Sequence, residues 1–319
     1  AGAADVPRDM TAAEVTPPAD SGGGGDAQPS SLDGPGVFVG VGYGGRRVRS
    51  VDDGMTWIDD TAITAAGGDD ANLLRTVGWG GGQFVALGFR VITSPNGRDW
   101  HDYGATIGQW IGTVVHAQGQ YVGAGGYGLR GTSADGVTWV HHDIDTIATH
   151  SDMGHGLIFT SDRGGRFVSA NDDGRRSHSA DGKAWMFSTG ALTTRTTDLA
   201  AGNGVVVGVG GTGVVVSSDA GATWTDAAQL AAAATSIVFA QGHFTATGAG
   251  HVFTSTNGTT WTDRPVAGLV SGGLAYGHGT YINVSGVRLR RSTDGVTWAA
   301  PVVLSGTNGI TCVVFGPTG

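Results

Sequence analysis

The chain has 319 residues, a formal charge of −9 and 59 glycines, with charged side chains at only 14% of positions. That length suits one large domain or two small ones, and glycine without a G-X-Y period excludes a collagen helix. The acidic balance gives no general attraction to nucleic acid or anionic lipid, and no apolar run reaches the ~18 residues that a membrane span needs. Lys183 and Glu14 are the only lysine and glutamate, a bias that fits a high-GC bacterial genome. Cys312 is the only cysteine, which excludes an intrachain disulfide and a zinc site built from several thiolates. It falls in an apolar stretch and reads as a buried, inert thiol.

Residues 1–35 are rich in Ala, Pro, Gly, Ser and Asp and have almost no aromatic or β-branched content to offset the entropy of ordering. The expectation is a flexible tail or linker, either a plain spacer or a tether to a membrane or cell wall. The chain starts at Ala1 without an apolar signal segment. It therefore reads as a mature or trimmed product, placed outside the cytoplasm: extracellular, periplasmic or on a bacterial cell surface.

From residue 36 onward one unit recurs seven times, as SVDDGMTW (50–57), SPNGRDW (94–100), SADGVTW (133–139), SADGKAW (179–185), SSDAGATW (217–224), STNGTTW (255–261) and STDGVTW (292–298). Its tryptophans, Trp57, Trp100, Trp139, Trp185, Trp224, Trp261 and Trp298, lie 43, 39, 46, 39, 37 and 37 residues apart. In each copy Asp or Asn is placed to accept backbone N–H bonds across a tight turn, Gly supplies a positive φ, and Trp buries a large ring against a neighbouring sheet. The motif resembles the Asp-box, S-x-D-x-G-x-T-W, of sialidases and related propellers. The first and fifth copies match in full, the others lack the residue before Gly, and two carry Asn for Asp.

Each unit also contains four short strand-like pieces, as in TSIVFAQG, HFTATGAG, HVFTSTNG and TTWTDRP over 235–265. A period of about 40 residues with four strands is the propeller pattern. The first unit begins at its second strand, GVFVGVGYGG (36–45), and the chain ends on a lone inner strand, GITCVVFGPTG (309–319). The expected fold is all-β: residues 36–319 form a seven-bladed β-propeller of four-stranded blades, closed by the C-terminal strand completing blade one.

In such a ring the turns between second and third strands share one rim, the top, with the connections between blades. Those turns carry Arg46, Arg47, Arg90, Arg130, Arg175, Arg176, His251, Arg288 and Arg290, and only the fifth unit, GGTGVVV, lacks a cation. Because neighbours on a strand point to opposite faces, these side chains do not all share one surface. Two readings stay open. The cations brace strand ends against nearby aspartates, or they form an anion-reading ring suited to carboxylate, sulfate or phosphate. On the second reading the ligand-binding set is Arg90, Arg130, Arg176, Arg288 and His251, joined by Trp110. That tryptophan stands outside the repeat register, as a stacking platform or an extra core aromatic. Trp79 aligns with Phe239, Tyr276 and Phe315 of the inner strands and reads as core.

The connections add Asp69, Asp70, Asp143, Asp145, His150, Asp152, His155 and Asp198. The stretch 141–155 matches no known metal-loop spacing, so it reads as solvated polar surface. No metal and no cofactor is assigned. Sialidase chemistry, which the Asp-box resemblance raises, uses an arginine triad, a tyrosine activated by glutamate and an aspartate acid/base. Glu14 lies in the tail, which disfavours that activity. A glycoside hydrolase or lyase pairing Asp69 or Asp70 with Asp152 or Asp198 stays open, and no catalytic residue is assigned. The chain also resembles photosystem II assembly-factor propellers, which carry an arginine patch and bind a protein segment. The resulting expectation is a secreted or surface-tethered, non-catalytic binding or scaffold propeller that recognises a protein segment or an anionic ligand on its Arg-rich top rim, its partner there a protein or a carbohydrate. A lectin and a structural subunit of a surface assembly are the alternatives. Top loops that differ from blade to blade favour one composite site over repeated lectin sites.

Overall fold

The computed structural model describes residues 36–59, 72–104, 111–142, 154–171, 174–190, 195–269 and 271–317. The expected tail, Trp110, Asp69, Asp70, Asp143, Asp145, His150 and Asp152 lie outside these, as does the side chain of His155. Among the described residues no helix is long and apolar enough to cross a membrane.

The first sheet holds β1 (Gly36–Gly42), β2 (Arg47–Ser50) and β3 (Ile58–Asp59). The second holds β4 (Leu74–Gly80), β5 (Gln83–Gly88), β6 (Val91–Ser94) and β7 (His101–Asp102). The third holds β8 (Ile111–Ala117), β9 (Gln120–Gly125), β10 (Arg130–Ser133) and β11 (Val140–His141). The fourth holds β12 (Gly154–Thr160), β13 (Arg166–Asn171), β14 (Arg176–Ser179) and β15 (Trp185–Phe187). The fifth runs through β16 (Asp198–Gly202), β17 (Val205–Ser217), β18 (Thr225–Ala240), β19 (His243–Gly248), β20 (His251–Ser255) and β21 (Thr262–Pro265). The sixth holds β22 (Gly273–Gly277), β23 (Thr280–Ser285), β24 (Arg288–Ser292) and β25 (Val302–Val303). The last strand, β26 (Ile310–Pro317), returns to the first sheet. There it pairs antiparallel with β1, from Gly36↔Pro317 to Gly42↔Ile310. The first and last parts of the described chain thus share one sheet.

Among the described residues the strands form six sheets and so six blades, which corrects the expected seven. The reason lies in the fifth sheet, where two repeats are joined. β17 pairs with β16 along Val205–Val209 and with the start of β18 along Gly213–Val216. β18 then runs on, and its second half pairs with β19 from Ala234↔Gly248 to Ala240↔His243. The segment between, Ala227–Ala234, contains neither Gly nor Pro to break an extended chain, and Leu230 is buried within it.

The recurring turn explains how the units are stacked. In the third copy, Ser133 Oγ donates to Asp135 Oδ1 at 2.9 Å and accepts the Gly136 N–H at 2.8 Å. Asp135 Oδ1 also accepts the N–H groups of Val137 and Thr138 at 2.8 and 2.7 Å. In the seventh copy burial alone would raise the Asp294 carboxyl, but N–H bonds from Thr297 and Val296 hold it down at about 2. Asn257 makes the same bonds with its amide oxygen, to Thr259 N and Thr260 N, so Asn and Asp are equivalent here. Five of the tryptophans, Trp100, Trp139, Trp185, Trp224 and Trp261, donate Nε1–H to the carbonyl of the turn glycine at 2.8–3.0 Å.

That turn lies on the preceding repeat. Gly136 has φ 77°, and a Cβ there would stand 2.5 Å from Val85 Cγ2 of the second sheet. The same contact recurs as Gly97 on Val39, Gly182 on Val122, Gly221 on Val168 and Gly258 on Val207, and Gly54 on Ile282 links the first repeat to the last. The tryptophan beside each glycine fills the rest of the seam, as Trp139 does in one buried cluster with Val85, Leu87 and Val91. On the inner side each repeat but the fifth sets an aromatic ring of the inner strand against one of its neighbour strand. Trp79 on Phe84 (4.4 Å), Phe239 on Phe244 (4.8 Å) and Phe315 on Phe38 (4.9 Å) are examples. Cys312 Sγ sits 3.8 Å from the Val77 carbonyl, and burial pushes the thiol up, away from the reactive thiolate.

Gly136→Ala should therefore cost about 2–4 kcal/mol, from a left-handed backbone and overpacking together. Gly242, at φ 79° with nothing within 4 Å of its Cβ position, isolates the backbone effect. Gly242→Ala should cost only about 1–2 kcal/mol. Denaturant midpoints of the two variants check this, and equal losses would contradict the packing account.

Candidate binding edge

Counting back from the turn serine sorts the rim cations into two classes. Three residues before it stand Arg47, Val91, Arg130, Arg176, Val214, Val252 and Leu289; four before it stand Arg46, Arg90, Leu129, Arg175, Gly213, His251 and Arg288. Strand alternation sends the two sets to opposite faces of each sheet.

The first set points at the next repeat. Arg47 lies 6.0 Å above the Trp100 ring, Arg130 5.1 Å above Trp185 and Arg176 5.3 Å above Trp224. Where this position is Val91 or Leu289, the same residue packs in one apolar cluster with Trp139 or Trp57. Arg130 is only 1% exposed. It donates to the Leu129 carbonyl at 2.9 Å, to Asn171 Oδ1 at 3.2 Å and to Ser177 Oγ at 3.3 Å. Arg176 is equally buried and donates Nε–H to Thr196 Oγ1 at 3.0 Å. Burial brings its guanidinium down to about 10, against the opposing pull of Asp226, so it stays charged near neutral pH. Both arginines act as packing groups with a polar end.

The second set points the other way and meets the residue two places after its own repeat's tryptophan. Arg46 donates to Asp59 at 2.7 Å, Arg90 to Asp102 at 2.7 Å, and His251 Nδ1 lies 2.8 Å from Asp263 Oδ1. Arg46 also donates to the Asn308 and Ser305 carbonyls at 2.7 Å, tying the first repeat to the strand that closes it. Arg175 lies 5.9 Å from the Phe187 ring centroid instead. The corresponding residue for Arg288 is Ala300, and Arg288 is exposed with no ion pair among the described residues.

Of the six residues expected to bind a ligand, Arg90 and His251 are thus paired at the edge, Arg130 and Arg176 lie inside, Arg288 is open, and Trp110 is outside the described residues. The aspartates at Trp+2 were missed at the sequence level, although a count from tryptophan instead of along the loops finds them. Arg264 was also missed. It sits on exposed β21, opposite Val252. Asp198 is held by Ser236 Oγ at 2.7 Å and Ile237 N at 2.9 Å. Among the described residues no group of three or more His, Cys, Asp or Glu gathers to hold a metal.

Arg130→Ala should cost about 2–3 kcal/mol, since it uncovers Trp185 and strips bonds from buried Asn171 and Ser177. Arg90→Ala, which breaks an exposed pair, should cost no more than about 1 kcal/mol. Thermal melts of both variants decide it, and a silent Arg130→Ala would contradict the bracing role.

No family model matches the chain, and no curated protein does. Solved structures match in fold. YCF48 bound to a D1 peptide matches with a TM-score of 0.59 at 13% identity, over 79% of this chain and 86% of that one. Virginiamycin B lyase from Staphylococcus aureus matches with a TM-score of 0.60 at 8% identity, over 73% and 85%. The WD40 propeller domain of Doa1 matches with a TM-score of 0.54 at 12% identity, over 83% and 88%. At such identities the likeness speaks for fold alone, and the fold is a β-propeller of four-stranded blades.

Proposed function

We propose that this chain is a non-catalytic binding propeller that holds a protein segment at the edge bearing Arg90, His251 and Arg288. The observation that carries the reading is how the carboxylates are used. Asp52, Asp135, Asp181, Asp219 and Asp294 are held ionised by the turns they close. Asp59, Asp102 and Asp263 are bonded to a cation or imidazole at or just before the start of the neighbouring strand. A general acid needs a carboxyl held near neutral pH by its surroundings, and the turns do the reverse for the five aspartates they hold. Among the described residues the edge charge without an ion pair is the cationic Arg288, which suits recognition rather than proton transfer. The YCF48 structure, with its bound peptide, shows that a propeller of similar fold takes a peptide ligand. The repeat turns support membership among Asp-box propellers. In this proposal the protein works outside the cytoplasm, with residues 1–35 as its tether.

Selection from a displayed random-peptide library on the full chain, alongside a glycan array, tests the reading. Peptides that bind with Kd in the micromolar range, with no glycan bound or cleaved, are the expected result. Turnover or selective capture of a glycan without any selected peptide would contradict it.

A further inference from the structure

From Ala227 to Gly319 the chain holds four arginines, Arg264, Arg288, Arg290 and Arg291, and only two acids, Asp263 and Asp294. In a protein of net charge −9 this is a basic sector. Both acids are committed internally, Asp263 to His251 and Asp294 to its own turn. The register places three of the arginines on one seam. Arg288 and Arg290 lie on β24 opposite Ser285 and Asn283, one residue apart and so on the same face. That face looks back at the repeat containing β21, because an Arg290 guanidinium nitrogen is 3.0 Å from where a Gly268 Cβ would be, in the turn after β21. Arg264 lies one place beyond Asp263, whose side chain meets His251 on the far face, so alternation turns Arg264 towards β24. None of Arg264, Arg288 and Arg290 forms an ion pair among the described residues, and Ala300 stands where other repeats offer Asp. Trp298 on the same repeat has a buried Nε1–H without the glycine carbonyl that five other turn tryptophans reach.

We propose that the cleft between the last two repeats, walled by Arg264 on one side and Arg288 and Arg290 on the other, binds an acidic segment of a partner protein. The inference rests on the binding reading above and names where and what the edge binds. Three guanidinium groups on facing walls repel one another unless carboxylates lie between them, and each guanidinium offers a paired donor geometry that a carboxylate matches. A segment a few residues wide fits a sector this narrow. Duplex nucleic acid, with a charge every ~1.7 Å, would extend over the acidic remainder of the ring and be repelled there. An anionic vesicle surface meets the same obstacle.

The test uses the full chain and a fluorescein-labelled decapeptide of alternating Asp and Ser, with an Asn-for-Asp version as its control. Wild type should bind the Asp peptide at least tenfold more tightly than the Asn peptide, with affinity falling as salt rises. Arg288→Ala/Arg290→Ala should abolish that preference, and Arg264→Glu, from the opposite wall, should do so independently. Arg98→Ala, at an exposed turn tip of the second sheet, should keep it. Equal binding by the cleft variants, no preference for Asp over Asn, or tighter binding of duplex DNA or phosphatidylserine vesicles would overturn the proposal. Library-selected peptides that bind the cleft variants as they bind wild type would leave a binding propeller whose site lies elsewhere.

Discussion

The Ser–Asp–Gly–Trp turn does two things at once, and the ring depends on their being coupled. Serine and aspartate satisfy the backbone N–H groups of a hairpin exposed to water, and this fixes glycine in a left-handed conformation facing away from solvent. With no Cβ, the glycine lets the hairpin close down on an aliphatic side chain of the preceding repeat. The tryptophan three residues on seals the same seam and donates its N–H back to the glycine carbonyl. A second set of contacts runs alongside. Gln83 and Gln120, the first residues of β5 and β9, donate to the carbonyls of Asp135 and Asp181 in the next repeat's turn. Polar satisfaction and apolar packing at each seam therefore stand or fall together.

This coupling explains why arginine sits so often near the edge without facing a ligand. The position that covers the next tryptophan accepts Val, Leu or Arg, because a guanidinium plane covers an indole face as an aliphatic chain does. Arginine then needs partners for its remaining N–H groups. Asn171, Ser177 and Thr196 supply them in the fourth sheet and just beyond it. The neighbouring position, one residue earlier, faces the outer strand, where an aspartate answers the cation in three repeats. What is left over for recognition is set by where neither an aspartate nor, as at Phe187 beside Arg175, an aromatic ring answers the cation, and this is Arg288 of the last repeat.

Much of the architecture was legible because it is local. The turn motif names its own hydrogen bonds, and the two incomplete ends of the repeat series announced the pairing of β26 with β1. The sheet count was not legible. A repeat count records turns, whereas a sheet ends only where the chain stops pairing, and the alanine-rich Ala227–Ala234 carries the pairing through. The edge was read half correctly. Arg130 and Arg176 looked like loop cations because they lie next to loop residues in the chain, but one step along a strand reverses a side chain's face. Registering every unit on its serine, and not on its loop, separates buried Arg130 from open Arg288 in the sequence itself. Arg264 gives no such signal, since only the pairing of β20 with β21 shows which wall it joins.

The turn glycine and the aliphatic residue beneath it hold adjacent repeats together as one packed contact. A double-mutant cycle on Gly136 and Val85 measures this directly. With Val85 shortened to Ala, the room for a Cβ at position 136 is restored, so Gly136→Ala should cost at least 1 kcal/mol less in the Val85→Ala background than in wild type, an estimate of about the size of a relieved overpacking. Strictly additive losses would show that the two residues do not meet as described, and the account of how the ring is held together would fail with them.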